Sequence, residues 1–543
     1  MRGAWGGASQ FEPRRMQQNG NNLGEKAAAS RRAFALPRLS ARPPASPIVM
    51  KFGGTSVADA ACLRHVAGII TGADGDAPLI VVVSALDGVT DQLVACAADA
   101  ARGQTASAAR TLRALRARHD AVAAELLPPH VHRAYAAHAA ALLAAAEALC
   151  RDVAGSRSSP GASDEISGLG ERLAAPLLAS VIAAAGRRSQ AIAATELISL
   201  NPEGEPNMAQ STARCRARLR PLLQRGVLPV VTGFICRRHD AAPATLGRGG
   251  SDYSATLIAA CMHARETVIW TDVDGIHDAD PRLVPAAQVL PALSYQDAAL
   301  LARAGAKVLH PQCLEPARAA GIPVSIRNTF RPERPGTQVA AHALASRRPG
   351  APEGPFALAA RSHFALVAYR DPTGDAHARL QARAWPALAN DAVAFRFLSR
   401  EGILQVAVPD SQAAAVLAVW RWALRLPPGD PRLRLVPGVA LVQAVGGPAG
   451  EDIHARAVAA LRDAGVACLA SAVAPAPEGV ALAVFQPDLA VAMAALHRAL
   501  LPPPAQHPPE ALAAPAPAVG RGAEAVHHRI PASPLAGDNR REA

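Results

Sequence analysis

Four short segments carry side chains with chemistry to offer. The first is KFGGTSV, residues 51–57, where Lys51 stands just ahead of Gly53 and Gly54. A strand that ends in two glycines lets the backbone approach a ligand without Cβ obstruction, and its free N–H groups suit phosphate oxygens. A lysine there adds a compact ammonium for the same anion. The lysine precedes the glycines, so this is not a GxxxxGK[ST] loop. Alone, the segment reads as well as a strand-turn with a solvated lysine.

The second segment, TLGRGGSDYSATLIAA (245–260), surrounds Arg248 with three glycines and opens an apolar helix with Ser251 and Asp252. Asp252 by itself is an ordinary helix cap. A guanidinium on a flexible loop, beside a helix N-terminus, suits a carboxylate or another anion. The third, WTDVDGIHDADPR (270–282), is a strand running into an acidic turn. It lacks the Glu at the twelfth position that a calcium-binding EF-hand loop requires. The fourth, GAKVLHP (305–311), holds Lys307. The chain has only three lysines, Lys26, Lys51 and Lys307, and its other 53 basic residues are arginines. Two lysines kept beside glycine turns point to a setting where arginine's bulkier fork fails, such as a point charge on a phosphoryl oxygen.

Positioning these groups requires a sheet. SPIVMKF, APLIVVVSA, RGVLPVVTGFIC, ETVIWTDVDG and GIPVSIRNT read as core strands, with helical spacing between them. Residues 107–152 are Ala-rich and helical. Such alternation predicts an α/β fold, a mostly parallel sheet with helices on both faces. Residues 341–355 read as a Pro/Gly-rich linker. Two small α+β units follow at 356–426 and 435–501, and a Pro/Ala-rich tail from 502 to 543 is expected to be disordered. Residues 1–47 carry eight Lys or Arg against two acidic residues and no apolar core, so they are not a secretory signal. They read as a transit-like peptide or, preferably, as sequence upstream of a true start near Met50.

Composition excludes other classes. The net charge of +12 suggests nucleic acid, but aromatics are only 3% and the arginines are scattered. The longest apolar runs are strand-length, which argues against a membrane span. Eight scattered cysteines, without CxxC or metal spacing, read as a reduced cytosolic protein.

Taken together, KFGGTSVAD, VVVSALDGVTDQL, GLGERLAA, TLGRGGSDYSA, WTDVDGIHDADPR, SYQDAALLARAGAKVLHP and IPVSIRNTFRPERPGT resemble the aspartate kinases of the amino-acid kinase superfamily. The resemblance spans residues 48–340 and is greatest to the kinase part of aspartokinase–homoserine dehydrogenases. About 200 residues follow, too few for the second enzyme.

The resemblance implies phosphorylation of the L-aspartate β-carboxylate by MgATP, opening the route to lysine, threonine and methionine. It places Lys51 on the transferring phosphoryl group, with the Gly53 and Gly54 amides on phosphates. Asp252 becomes the catalytic aspartate. Arg248 clamps the substrate α-carboxylate, Glu171 accepts the α-ammonium, and Thr90, Ser84 and Ser251 complete the aspartate site. Thr271, Asp272, His277, Arg282, Lys307 and Val308 match nucleotide-binding positions. No protein metal site is implied, so Mg²⁺ arrives on ATP.

Several positions depart from the resemblance: His277 for a tyrosine, Leu86 and Asp87 for smaller or uncharged residues, Asp91 for an asparagine, and Ala174 for a serine. The C-terminal units resemble ACT modules, the first degenerate, and imply a homodimer formed through them. Their effector stays unnamed, and His454 and His497 read as helix-surface residues. The competing reading is a non-catalytic amino-acid sensor on an inactive kinase body.

Overall fold

The computed structural model describes residues 46–501, apart from 74–76, 156–160, 307–308, 342–353, 372–374, 385–394, 399–401, 448–449 and 474–478. The N-terminal extension, the linker and the tail therefore fall wholly or almost wholly outside the described residues, as do Lys307 and Val308.

The expected core strands form an eight-stranded sheet. Its members are β1 (Ile48–Phe52), β2 (Leu79–Val83), β3 (Ser189–Ile192) and β4 (Leu228–Thr232). After a hairpin of β5 (Ile235–Arg237) and β6 (Pro243–Thr245) come β7 (Glu266–Thr271), β8 (Ala292–Ser294), β9 (Val324–Asn328) and β10 (Thr337–Ala340). The order is β3-β4-β2-β1-β7-β9-β10-β8. Pairings from β3 across to β9 are all parallel, and β10 runs antiparallel to β9. All five residues of β2, LIVVV, are buried, as a strand covered on both faces requires.

One face packs on α1 (Ala60–Thr71), α2 (Val89–Ala101), α3 (Thr105–Leu126), α4 (Pro129–Ala154), α5 (Ala162–Ser167) and α6 (Leu169–Ala184). The expected long helical region is split in two at Pro128-Pro129, with Pro129 in the first turn of α4 where its missing N–H costs nothing. The other face packs on α7 (Met208–Gln224) and α8 (Gly250–Met262). Met50 and Phe52 point into the first layer and Val49 into the second, so strand alternation turns Lys51 toward α8. Two further helices, α9 (Tyr295–Ala304) and α10 (Pro311–Ala320), complete this body. Among the described residues one helical stretch, Ala162–Ala184, is long and apolar enough to cross a membrane, and 78% of its apolar window is buried in the core.

The C-terminal part contains β11 (Ala357–Arg370), α11 (Ala376–Arg383), β12 (Phe395–Leu398), β13 (Ile403–Pro409), α12 (Asp410–Leu424) and β14 (Leu433–Val445). It continues with α13 (Glu451–Asp463), β15 (Ala470–Val473), β16 (Val480–Phe485) and α14 (Leu489–Leu500). Its six strands form one antiparallel sheet in the order β12-β13-β11-β14-β16-β15. The units read at 356–426 and 435–501 interlock here. Residues 357–361 pair with the end of β14, within the second unit, while β14 residues 433–436 pair back into the first. A register shift between Arg361 and Phe364, with His363 at φ 66°, lets one strand serve both.

Candidate functional site

The parallel strands end on a common edge, and the strand order reverses between β1 and β7. In open α/β sheets that reversal opens a crevice for ligands. Lys51 stands at this edge, and its Nζ lies 2.6 Å from Asp252 Oδ1 in the first turn of α8. Both side chains are nearly enclosed, at 10% and 14% exposed. Glycines bring α8 this close. A Cβ on Gly233 would sit 2.6 Å from Ser251 Cβ, and one on Gly250 would sit 2.7 Å from the Phe234 ring. Gly247 and Gly249, at φ 72° and 71°, turn the Arg248 loop into the helix.

These residues border a cavity of about 350 Å³. It gathers Lys51, Gly54, Ser84, Thr90, Glu171, Arg248, Ser251 and Asp252 from the sequence-derived set. Three helix starts meet there: Thr90 in the first turn of α2, Glu171 in that of α6, and Ser251 with Asp252 in that of α8. Their unpaired N–H groups and dipoles favour negative charge. Ser84 donates its N–H to Phe52 O at 3.1 Å, which holds the end of β2 beside β1. Arg248 is exposed and has no acidic partner among the described residues.

Glu171 is the deepest acid, at 2% exposure. Its Oε1 accepts the Ala85 N–H at 3.2 Å, and its Oε2 has no hydrogen-bond partner. Burial pushes this carboxyl up to about 8, with the Ala85 and Glu171 amides and the Lys51 ammonium acting in the opposite direction.

The two glycines after Lys51 differ. Gly53 donates its N–H to Trp270 O at 3.2 Å, continuing the β1–β7 ladder, so that amide is committed to the sheet. Gly54 borders the cavity, and a Cβ there would lie 3.1 Å from Ala85 O.

Of the other nucleotide-binding candidates, the described ones, Thr271, Asp272, His277 and Arg282, do not border this cavity. Thr271 closes β7, and its Oγ1 donates to Asp272 Oδ1 at 3.1 Å. His277 forms a bridge with Val289, and its Nδ1 lies 3.2 Å from Gly275 O. Arg282 is 71% exposed and grips Asp280 through Nε at 3.0 Å and Nη2 at 2.6 Å, which raises the pKa of its guanidinium.

Other positions escape the motif reading. Arg118 on α3 donates to Asp87 O and Ala58 O at 2.8 and 2.9 Å, fastening two cavity-edge loops. Asp274 accepts from Asn328 Nδ2 at 2.7 Å and pairs with Arg331 at 2.9 Å. Gly170 lets α6 press on the cavity wall, where a Cβ would sit 2.5 Å from Ala85 Cβ. The GLG spacing ahead of Glu171 is the one sequence signal for this last contact. His497, expected on a helix surface, is largely enclosed, and its Nε2 lies 3.3 Å from Asp278 Oδ1.

The chain is 35% identical over 298 residues to the lysine-sensitive aspartokinase 3 of Escherichia coli, covering 54% of this chain and 64% of that protein. It is 33% identical over 294 residues to the chloroplastic bifunctional aspartokinase/homoserine dehydrogenase 2 of Arabidopsis thaliana, covering 53% of this chain and 32% of that one. It thus spans under two thirds of either relative. The crystal structure of E. coli aspartokinase III in complex with aspartate and ADP superposes with a TM-score of 0.65 at 26% identity, over 83% of this chain and 99% of that one. The amino acid kinase family model matches residues 46–328, more than half of the sequence, and the chain belongs to that family.

Proposed function

We propose that this chain transfers the γ-phosphoryl group of MgATP to the β-carboxylate of L-aspartate, releasing ADP and 4-phospho-L-aspartate. The observation that carries the reading is the Lys51–Asp252 pair sharing one small cavity with Glu171 and Arg248. The aspartate and ADP bound to the E. coli relative support it.

In this reading a β-carboxylate oxygen attacks the γ-phosphorus as the bond to the β,γ-bridging oxygen breaks. The attacking carboxylate is already ionised at neutral pH, so no general base is needed. The difficulty is electrostatic, because two anions must meet. Lys51 and the helix starts of α2 and α8 offset that repulsion, each well-placed donor contributing about 2–4 kcal/mol. Asp252 fixes the Lys51 ammonium, and Gly54 leaves room for the phosphates. Arg248 grips the α-carboxylate. Glu171 takes the α-ammonium, with Thr90, Ser84 and Ser251 completing the aspartate site. Thr271, Asp272, His277, Arg282, Lys307 and Val308 are the residues assigned to the nucleotide. Among the described residues no cluster of three or more metal-ligating side chains occurs. Mg²⁺ arrives on ATP and neutralises phosphate charge there. The C-terminal sheet would serve a homodimer, and the scattered thiols suit a reducing cytosol.

The test is ATP turnover dependent on aspartate, with the acyl phosphate trapped by hydroxylamine. Aspartyl hydroxamate from the wild type and its loss in Lys51→Ala are expected. Undiminished product from Lys51→Ala would remove Lys51 from the site.

A further inference from the structure

The cavity's charges do not all serve the roles above. Five charged side chains border it: Lys51, Arg248, Asp252, Glu171 and Asp87. Lys51 and Asp252 form an ion pair at 2.6 Å. Glu171 lies buried with its carboxyl held toward the neutral form. Two charges are left without an ion-pair partner among the described residues, the Arg248 guanidinium and the Asp87 carboxylate, both exposed at the cavity mouth. One unpaired cation and one unpaired anion bordering the same small space complement a zwitterion.

Asp87 is held in place from several sides. Its carbonyl accepts Arg118 Nη1 at 2.8 Å, and the same guanidinium ties down Ala58 O through Nη2 at 2.9 Å. Gly54 admits the close approach of the turn, since a Cβ there would lie 3.1 Å from Ala85 O. Gly88, at φ 72°, then turns the chain directly into α2. Charge-assisted bonds from one guanidinium to two carbonyls fix both loops relative to α3. The side chain at position 87 is therefore presented by a braced turn.

We propose that Asp87 is a specificity-determining residue that reads the substrate ammonium at the cavity mouth, opposite Arg248, and that Arg118 is its positioning residue. The proposal rests on the aspartate kinase reading and deepens it. The standing negative charge that selects an α-amino acid comes from Asp87, while buried Glu171 supplies the inner hydrogen-bond acceptor.

The experiment measures KM for aspartate and for MgATP in the full chain carrying Asp87→Asn, Asp87→Ser, Arg118→Gln or Arg118→Lys, with succinate as the des-amino competitor. Removing Asp87's charge is expected to raise KM for aspartate about fivefold, the scale of one partly exposed ion pair, and to leave KM for MgATP within about twofold. Inhibition by succinate holds or strengthens, so discrimination between the two acids narrows. Arg118→Gln follows in the same direction with an unshifted melting temperature, and Arg118→Lys recovers part of the loss. An unchanged KM for aspartate in both Asp87 variants overturns the proposal. So does a rise confined to MgATP, which would make Asp87 a partner of the metal-nucleotide. If the wild type yields no hydroxamate, the reaction falls, and calorimetric titration with aspartate still decides Asp87. Equal affinity of wild type and Asp87→Asn, or no binding to either, overturns it.

Discussion

Lys51 Nζ and Asp252 Oδ1, 201 residues apart in the chain, meet at 2.6 Å and join the central strand to the start of α8. The pair is nearly enclosed, so its partners are not interchangeable with solvent. Lys51→Ala is expected to lower kcat by about 10²–10³-fold, the cost of one lost preorganised donor. Lys51→Arg should fare little better, because a planar fork cannot replace a compact ammonium against Asp252. Asp252→Asn leaves the ammonium enclosed and unpaired, and its melting temperature should fall as well as its kcat. Steady-state kinetics and thermal melts check all three. Full activity in Lys51→Arg would refute the argument drawn from the scarcity of lysine.

Glu171 makes stability depend on pH. Burial raises its carboxyl from 4.5 to about 8, so the folded chain binds this proton more tightly than the unfolded one. Its contribution is therefore fully present below about pH 4.5, declines as pH rises toward 8, and levels off above. Melting temperatures of wild type and Glu171→Gln, compared from pH 5 to about 9, should show that slope in the wild type alone. Affinity for aspartate should move in the opposite sense, strengthening toward pH 8 as the proton leaves and the site can pair with an ammonium. A wild type with no slope relative to Glu171→Gln would mean that Glu171 is already ionised.

Glycines around the cavity should separate into two classes. At Gly170 a Cβ would meet Ala85 Cβ at 2.5 Å and Val89 Cγ1 at 3.1 Å, both in well-packed wall. Gly170→Ala should destabilise by about 1–3 kcal/mol, as overpacking does. At Gly53 the nearest atoms would be Lys51 Nζ at 3.5 Å and Trp270 O at 3.7 Å, ordinary contacts. Gly53→Ala should therefore melt like wild type, while its methyl beside the ammonium crowds the phosphates and raises KM for MgATP. Denaturant titration alongside kinetics separates the two effects.

Much of this arrangement is legible in the sequence. Strand β2 stands out as a continuous apolar run because it is covered on both faces, while β1, β4, β7 and β9 show as apolar-rich segments between helical stretches. Lys51, Arg248 and Asp252 stand out because glycines flank them where a helix or strand ends. What the sequence does not carry is long-range pairing. Nothing local marks Arg118 as the partner of carbonyls 31 and 60 residues away. The commitment of the Gly53 amide depends on the β1–β7 register, and the interlocking of β11 with β14 depends on a shift at His363. Glu171's depth follows from three helices meeting, which no single motif encodes.

The C-terminal sheet shares its core with the loop that follows β7. Ala279 and Val284 are each 3% exposed and belong to the same apolar cluster as Leu358, Val442, Leu482 and Met493. Leu358 donates its N–H to Asp278 O at 2.7 Å, and His497 reaches the Asp278 carboxylate. The two parts should therefore unfold together in one calorimetric transition. A chain ending near residue 341 would expose Ala279, Val284, Leu300 and Leu301, and should aggregate or melt without cooperativity. Val284→Ala should cost about 1–3 kcal/mol, and it should raise KM for MgATP more than KM for aspartate, because the loop it anchors carries His277 and Arg282. Two separate transitions in the full chain, or a cooperative fold in the shortened one, would show that the shared cluster contributes little. The KM comparison has its own decisive outcome: equal shifts for both substrates would mean that Val284 stabilises the body as a whole and does not act through the loop.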